Sequence, residues 1–150
     1  SKASVADIDN IGIFGHSYGG YMTLMGLSQA PGRFRAGVAV APVADWQLYD
    51  SHYTERYMGL PAENAEAYRQ SHVLTHLDNI DAPLLLVHGM ADDNVLFSHT
   101  TLLMSALQKA GKPFELMTYP GAKHSLQEPH VSIHRFNLLL DFFTRHLGPP

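Results

Sequence analysis

The chain has 150 residues, of which 45% are hydrophobic and 16% charged, with a formal net charge of −4 and no cysteine. That is enough for one packed domain with a sizeable core, and it excludes a disordered chain. It also excludes a disulfide framework, a thiolate metal site and a cysteine nucleophile, gives no reason to expect nucleic acid as a partner, and contains no apolar run long enough to span a membrane.

Short apolar runs alternate with helix-patterned stretches, which predicts a parallel α/β sheet. The first run, Ile11–Gly15, leads into Gly15-His16-Ser17-Tyr18-Gly19-Gly20, and a helical stretch from Ser17 to about Ala30 follows, stopped by Pro31-Gly32. Gly-x-Ser-x-Gly between a strand and a helix is the pattern of a nucleophile elbow. The chain turns there so sharply that the serine takes a strained conformation, and side chains at the flanking glycines would collide with the neighbouring strand and helix. The turn lifts the Ser17 hydroxyl clear of the sheet. It also aims backbone N–H groups of the helix N-terminus at any anion forming beside the serine. His16 is expected to face away, because successive side chains on a strand point to opposite faces.

The second run is Ala36–Val40, closed by Ala41-Pro42. A long excursion from Val43 to Asp81 comes next, and it holds the only tryptophan, Trp46, and four of the seven tyrosines, Tyr49, Tyr53, Tyr57 and Tyr68. A connection of this length inside a compact domain is usually functional. Short helices are predicted in it near Asn64–Gln70 and His72–Leu77. The third run, Pro83–His88, has the unbroken apolar character of a buried parallel strand. A helix from Ser98 to Ala110 carries Leu102, Leu103, Ala106, Leu107 and Ala110 on one face and ends at Gly111. The fourth run is Phe114–Tyr119, closed by Pro120-Gly121. The last helix, from about His130 to Leu147, shows Ile133, Phe136, Leu139, Leu140, Phe143 and Leu147 as its apolar stripe, with Gly148-Pro149-Pro150 as its stop.

A serine hydroxyl needs a base to take its proton and a carboxylate to orient that base. In this fold class the chain order is serine, acid, histidine. After the third strand comes His88-Gly89-Met90-Ala91-Asp92-Asp93-Asn94-Val95. Both Asp92 and Asp93 qualify as the acid, and Asp93 or Asn94 is also well placed to cap the helix that follows. After the fourth strand comes Pro120-Gly121-Ala122-Lys123-His124-Ser125, which puts His124 where the base is needed. His88 is expected to support the acid loop or the core. His72/His76 and His130/His134 have i, i+4 spacing, but no third ligand or HExxH pattern accompanies them, so no metal site is predicted.

These segments resemble the prolyl oligopeptidase family of serine peptidases, and within it the dipeptidyl peptidase IV branch. The likeness runs through Asp9 to Gly20, Ala41-Pro42-Val43 with Trp46, Tyr49-Asp50-Ser51, the run Tyr53-Thr54-Glu55-Arg56-Tyr57-Met58-Gly59-Leu60-Pro61, the segment from His88 to Val95, and Lys123 before His124. The resemblance implies an α/β-hydrolase fold, of which residues 1–150 would be the C-terminal half of a peptidase domain. It implies Ser17 as nucleophile, Asp92 as acid, His124 as base and the Tyr18 backbone N–H as an oxyanion donor. It further implies that Val43, Trp46, Tyr49, Tyr53, Asn94 and Val95 shape a pocket for the substrate's penultimate residue, with Asn94 near the substrate carbonyl. A pocket walled by aromatic rings suits proline, which is flat, apolar and without an N–H to satisfy.

The activity so implied is removal of X-Pro, and less well X-Ala, dipeptides from peptides with a free N-terminus, through an acyl-enzyme and without a cofactor. Full-length members of this family also carry a β-propeller whose acidic residues grip the substrate's amino group. They carry earlier hydrolase strands too, including a tyrosine that completes the oxyanion hole. None of these is within the 150 residues, so a near-inactive isolated piece is expected, and relatives dimerise through the last strand and helix. At position 16 animal relatives have Trp, a residue not expected to touch substrate. Competing readings are an acylaminoacyl-peptidase or esterase of the same fold, or a non-catalytic assembly module whose first strand offers an open edge.

Overall fold

The apolar runs pair side by side in one sheet. A computed structural model describes residues 7–148; Pro149 and Pro150, expected to help stop the last helix, lie outside the described residues. The strands are β1 (Gly12–His16), β2 (Ala36–Val40), β3 (Leu84–Gly89) and β4 (Glu115–Tyr119). They lie in the order β1-β2-β3-β4, all parallel, with Gly12 opposite Ala36, Gly37 opposite Leu84 and Leu85 opposite Glu115. Strands β2 and β3 are buried along their whole length, so their sequences are unbroken apolar runs, whereas β1 and β4 at the edges are only partly covered.

Helices cover both faces. They are α1 (Tyr18–Gln29), α2 (Ser51–Met58), α3 (Ala65–Ser71), α4 (Ser98–Lys109) and α5 (Pro129–Leu147), with 3₁₀ turns at Trp46–Leu48 and Val73–Asn79. On one face Leu84 and Leu86 of β3 pack with Leu24 and Leu27 of α1, Leu103 and Leu107 of α4, and Trp46 and Tyr68 of the long excursion. On the other face Leu85 and Val87 pack with Val38 and Val40 of β2 and with Leu126, Val131, Leu139 and Phe142 under α5. Alternate residues of one strand thus feed two cores. Because the strands are parallel, their carboxyl ends share one edge of the sheet, where an open α/β sheet binds its ligands.

Two sequence expectations are corrected, and one helix, α2, is not among those expected. On α5 the inward residues are Val131, Arg135, Leu139 and Phe142, with Phe143 and Leu147 at the flank, while Ile133, Phe136 and Leu140 are 64%, 50% and 67% exposed. The helix has more apolar residues than one face can bury, so periodicity alone does not identify the buried stripe. Helix α2 shows no apolar stripe, because Thr54 is its one buried residue. It is set by its ends: the Asp50 side chain accepts a hydrogen bond from the Tyr53 N–H at 3.1 Å, and Gly59 stops it at φ 70°. Finally, neither Asp93 nor Asn94 caps α4, whose N-cap position is Phe97 without a side-chain cap.

Candidate active site

Strand β1 ends at His16 and α1 begins at Tyr18, so Ser17 alone makes the turn, at φ 61° and ψ −120°. A non-glycine residue held there stores about 1–3 kcal/mol of strain. The surroundings hold it: the Ser17 N–H donates to the Val40 carbonyl at 2.8 Å, and the Tyr21 N–H donates to the Ser17 carbonyl at 3.0 Å. A Cβ at Gly15 would overlap the Gly19 backbone, and one at Gly20 would lie 2.8 Å from the Val40 carbonyl oxygen. The expected collisions therefore exist at Gly15 and Gly20. A Cβ at Gly19 meets nothing within 4 Å, so that glycine is not required by side-chain space.

The candidate base meets Ser17 from the far end of the chain. His124 Nε2 lies 2.9 Å from Ser17 Oγ, and His124 Nδ1 lies 2.7 Å from Asp92 Oδ2. Asp92 is buried, its Oδ1 accepts from the Asn94 N–H at 2.9 Å, and its Oδ2 also accepts from His88 Nε2 at 3.1 Å. Burial pushes the Asp92 carboxyl up, but the hydrogen bonds from His124, His88 and the Asn94 N–H together outweigh it and hold the group well below the ordinary carboxylate range. An ionised Asp92 only accepts, so His124 carries its hydrogen on Nδ1 and presents the Nε2 lone pair to the Ser17 hydroxyl.

The two aspartates differ in where their side chains go. Asp93 is exposed and pairs with Lys123 Nζ at 2.7 Å, tying the acid loop to the base loop from outside. His88 supports the acid loop, as expected. Its Nε2–H is shared between Asp92 and the Val95 carbonyl at 2.9 Å, and its Nδ1 lies 2.7 Å from Thr100 Oγ1. Thr100, a fully buried helix residue, carries no sequence signal for this contact.

The Tyr18 N–H is the first of α1, so helix geometry leaves it without a partner in the helix. Trp46 lies among Tyr21, Tyr49 and Tyr53, with ring centroids 5.1, 5.7 and 6.1 Å away. Its turn is capped by Asp45, which accepts from the Gln47 N–H at 2.9 Å. The Tyr49 hydroxyl donates to Asn94 Oδ1 at 2.7 Å, and Val43 and Val95 are buried. A cavity of about 460 Å³ opens beside this cluster, lined by Tyr18, Tyr21, Trp46, Tyr53, Tyr57 and Met58 among others. It shares Trp46 and Tyr53 with the expected pocket but not Val43, Tyr49, Asn94 or Val95. Tyr57 and Met58 enter it because α2 forms. A second cavity of about 470 Å³ lies under the amino ends of β3 and β4 and shares no residue with the site.

His16, expected to face away from Ser17, touches His124. Its Nε2 lies 2.8 Å from the His124 carbonyl oxygen, and the two rings are 5.0 Å apart. Strand alternation does place His16 on the face of β1 that also holds Gly12, which packs toward Phe143 of α5. The base loop crosses that same face, with Ala122 and Leu126 in the core under α5. Burial pushes the His16 imidazole below its ordinary pKa; the His124 carbonyl opposes that shift, and the nearby His124 and Arg135 add to it. One histidine of each i, i+4 pair is engaged elsewhere: His76 with the Gln70 carbonyl at 2.7 Å, and His134 with the Tyr119 hydroxyl at 2.9 Å.

The chain is similar in sequence and fold to known proteins. A family model described as the prolyl oligopeptidase family matches residues 1–150. Human dipeptidyl peptidase 8 is 42% identical over 151 residues, covering 99% of this chain and 17% of that protein. Dipeptidyl peptidase 4 of Bos taurus is 42% identical over 151 residues, covering 96% of this chain and 20% of that protein. The crystal structure of Porphyromonas gingivalis dipeptidyl peptidase 4 matches with a TM-score of 0.91 at 44% identity, covering 94% of this chain and 20% of that one. The chain thus spans about a fifth or less of the length of these relatives. The parallel sheet with helices on both faces is that of an α/β hydrolase, and with a match along its whole length the chain belongs to the prolyl oligopeptidase family.

Proposed function

We propose that Ser17, His124 and Asp92 are the nucleophile, base and acid of a serine peptidase that removes dipeptides from free N-termini, with proline favoured over alanine in the second position. The observation that carries the reading is the continuous contact from Ser17 Oγ through His124 to Asp92, at 2.9 and 2.7 Å. Ser17 Oγ attacks the scissile carbonyl as its proton passes to His124 Nε2. Asp92 stabilises the resulting imidazolium, and the Tyr18 N–H receives the oxyanion. His124 then gives its proton to the leaving amine, the C–N bond breaks, and an acyl-enzyme ester remains. Water hydrolyses that ester with His124 again acting as base, and no cofactor takes part.

Specificity follows from the aromatic cluster. Trp46 and Tyr53, which line the cavity with Tyr18, Tyr21 and Tyr57, offer a proline ring flat apolar walls and demand no hydrogen bond from it, while Tyr49, Val43 and Val95 belong to the core cluster around Trp46. Tyr49 engages the Asn94 side-chain oxygen, which leaves the side-chain Nδ2–H groups of Asn94 for the substrate carbonyl. The chain's share of its relatives' length supports residues 1–150 being part of a longer protein, and the resemblance implies the C-terminal part of its catalytic domain. A second oxyanion donor and the group that binds the substrate's amine then lie outside these residues. The 150 residues alone would be nearly inactive on peptides, because one missing oxyanion donor costs about a hundred- to a thousand-fold and the lost anchor removes positioning as well. The exposed stripe Ile133, Phe136 and Leu140 supports association of two copies through α5.

The test is hydrolysis of Gly-Pro-nitroanilide by the longer protein that carries these residues, beside its N-acetylated analogue. The free-amine substrate should be cleaved faster, and Ser17→Ala should abolish cleavage. Faster cleavage of the acetylated substrate would replace this reading with an acylaminoacyl-peptidase.

A further inference from the structure

Residues 16 and 17 are neighbours in sequence, and both hold residue 124. Ser17 Oγ meets the His124 ring at Nε2, while the His16 ring meets the His124 main-chain carbonyl at 2.8 Å. We infer that His16 is a positioning residue for His124: its Nε2–H···O=C bond fixes the base's backbone to the end of β1, so that nucleophile and base are held by one rigid strand. The inference rests on the reading of Ser17 and His124 as nucleophile and base.

The direction of the bond is set by chemistry. A carbonyl only accepts, so the hydrogen is on His16 Nε2. The segment it holds has no regular structure of its own, since β4 ends at Tyr119 and α5 begins at Pro129. Its other ties include the Ala122 N–H to the Tyr119 carbonyl at 3.2 Å, the Ala91 N–H to the Ala122 carbonyl at 3.1 Å, the Leu126 N–H to the Lys123 carbonyl at 3.2 Å, and the exposed Lys123–Asp93 pair. Those fix the residues on either side of His124. Asp92 and Ser17 hold the two ring nitrogens of His124, and His16 holds its peptide. Together the three contacts fix both the place of the base and the rotation of its ring.

Charge favours the same role. The charged or titratable groups facing His16 are His124 from the base loop, Arg135 from α5 and Asp92 from the loop after β3. Arg135 is buried, and burial of His16 itself also favours the neutral ring. A neutral His16 keeps its donor yet does not oppose the positive charge that the proposed mechanism creates on His124, 5.0 Å away.

The test uses His16→Phe, which keeps a ring but removes the donor, and His16→Gln, whose amide N–H can reach the same carbonyl. Two readouts are needed. One is the rate at which a fluorophosphonate labels Ser17. The other is the far-downfield NMR resonance of the His124 Nδ1–H bonded to Asp92, which requires no turnover. We expect His16→Phe to slow labelling roughly ten- to a hundred-fold, the scale of a small misplacement of reacting groups, and to broaden or abolish the resonance at an unchanged melting temperature. His16→Gln should restore most of both. If His16→Phe does not fold, His16→Leu replaces it. Wild-type labelling and resonance in the donor-free variant would overturn the inference, and so would failure of His16→Gln to rescue. If the wild-type chain shows the resonance and the response to His16 but takes no label, the positioning role stands and the peptidase reading falls.

Discussion

Asp92 and Asp93 are adjacent, carry the same side chain and do different things. One is buried with its carboxylate on His124, His88 and the Asn94 N–H; the other is in solvent on Lys123. Asp92→Asn should therefore lower the Ser17 acylation rate by about ten-thousand-fold, because an amide no longer fixes the tautomer of the base. Asp93→Asn should leave the rate close to wild type, and single-turnover labelling compares the two. The lowered carboxyl pKa of Asp92 also makes a stability prediction. Its pKa is lower folded than unfolded, so the unfolded chain binds more protons as pH falls. The stabilisation from Asp92 is then complete above its unfolded value near 3.8 and is lost as pH falls through the folded one. Urea unfolding should show the gap between wild type and Asp92→Asn at pH 7 and shrink it on acidification below that value. A gap that grew in acid would contradict the assignment. Nothing in the residue spacing separates these two aspartates; what does is the side to which the loop turns each side chain, a tertiary fact. His16 shows the same limit, since strand alternation gives its face but not which loop crosses that face.

The strained turn at Ser17 is legible in the sequence because its constraints are local. Gly15 and Gly20 lack the space for a Cβ, and Ser17 sits at the strained turn the pattern requires. Gly15→Ala should cost at least about 1–3 kcal/mol by forcing the Gly19 backbone aside, whereas Gly19→Ala should be near neutral, and denaturant midpoints decide it. Equal costs would mean that the close approach is not between Gly15 and Gly19. The strands are legible for a similar reason: β2 and β3 are apolar on both faces, a pattern that needs no partner to be seen. Helix α5 is legible as a helix but not in its orientation. Leu139 faces the core, so Leu139→Ala should cost about 2–5 kcal/mol. Leu140 is 67% exposed, so Leu140→Ala should change the stability of a single chain by about 0.5 kcal/mol or less. Helix α2 is legible only from its ends, the Asp50 cap and the Gly59 stop, because it has no apolar period.

At the scale of the molecule, parallel strands collect three distant residues at one edge. Ser17 follows β1, Asp92 follows β3 and His124 follows β4, and the sheet brings the loops together across sequence separations of 107 and 32 residues. The order of elements makes this arrangement predictable, because a parallel sheet has one carboxyl edge whatever its side chains do. The shape of the aromatic cavity is less so, because it depends on how the long excursion folds back and on α2. The central claim is that the three residues form a working relay, and it is tested most directly by treating the chain with a fluorophosphonate and reading intact mass beside Ser17→Ala. The reagent needs an activated serine but no peptide recognition. A working relay predicts a single adduct on wild type, mapped to Ser17, that is absent from Ser17→Ala and strongly slowed in Asp92→Asn. Labelling that persists in Ser17→Ala, or a folded wild type that takes no label at all, would contradict it.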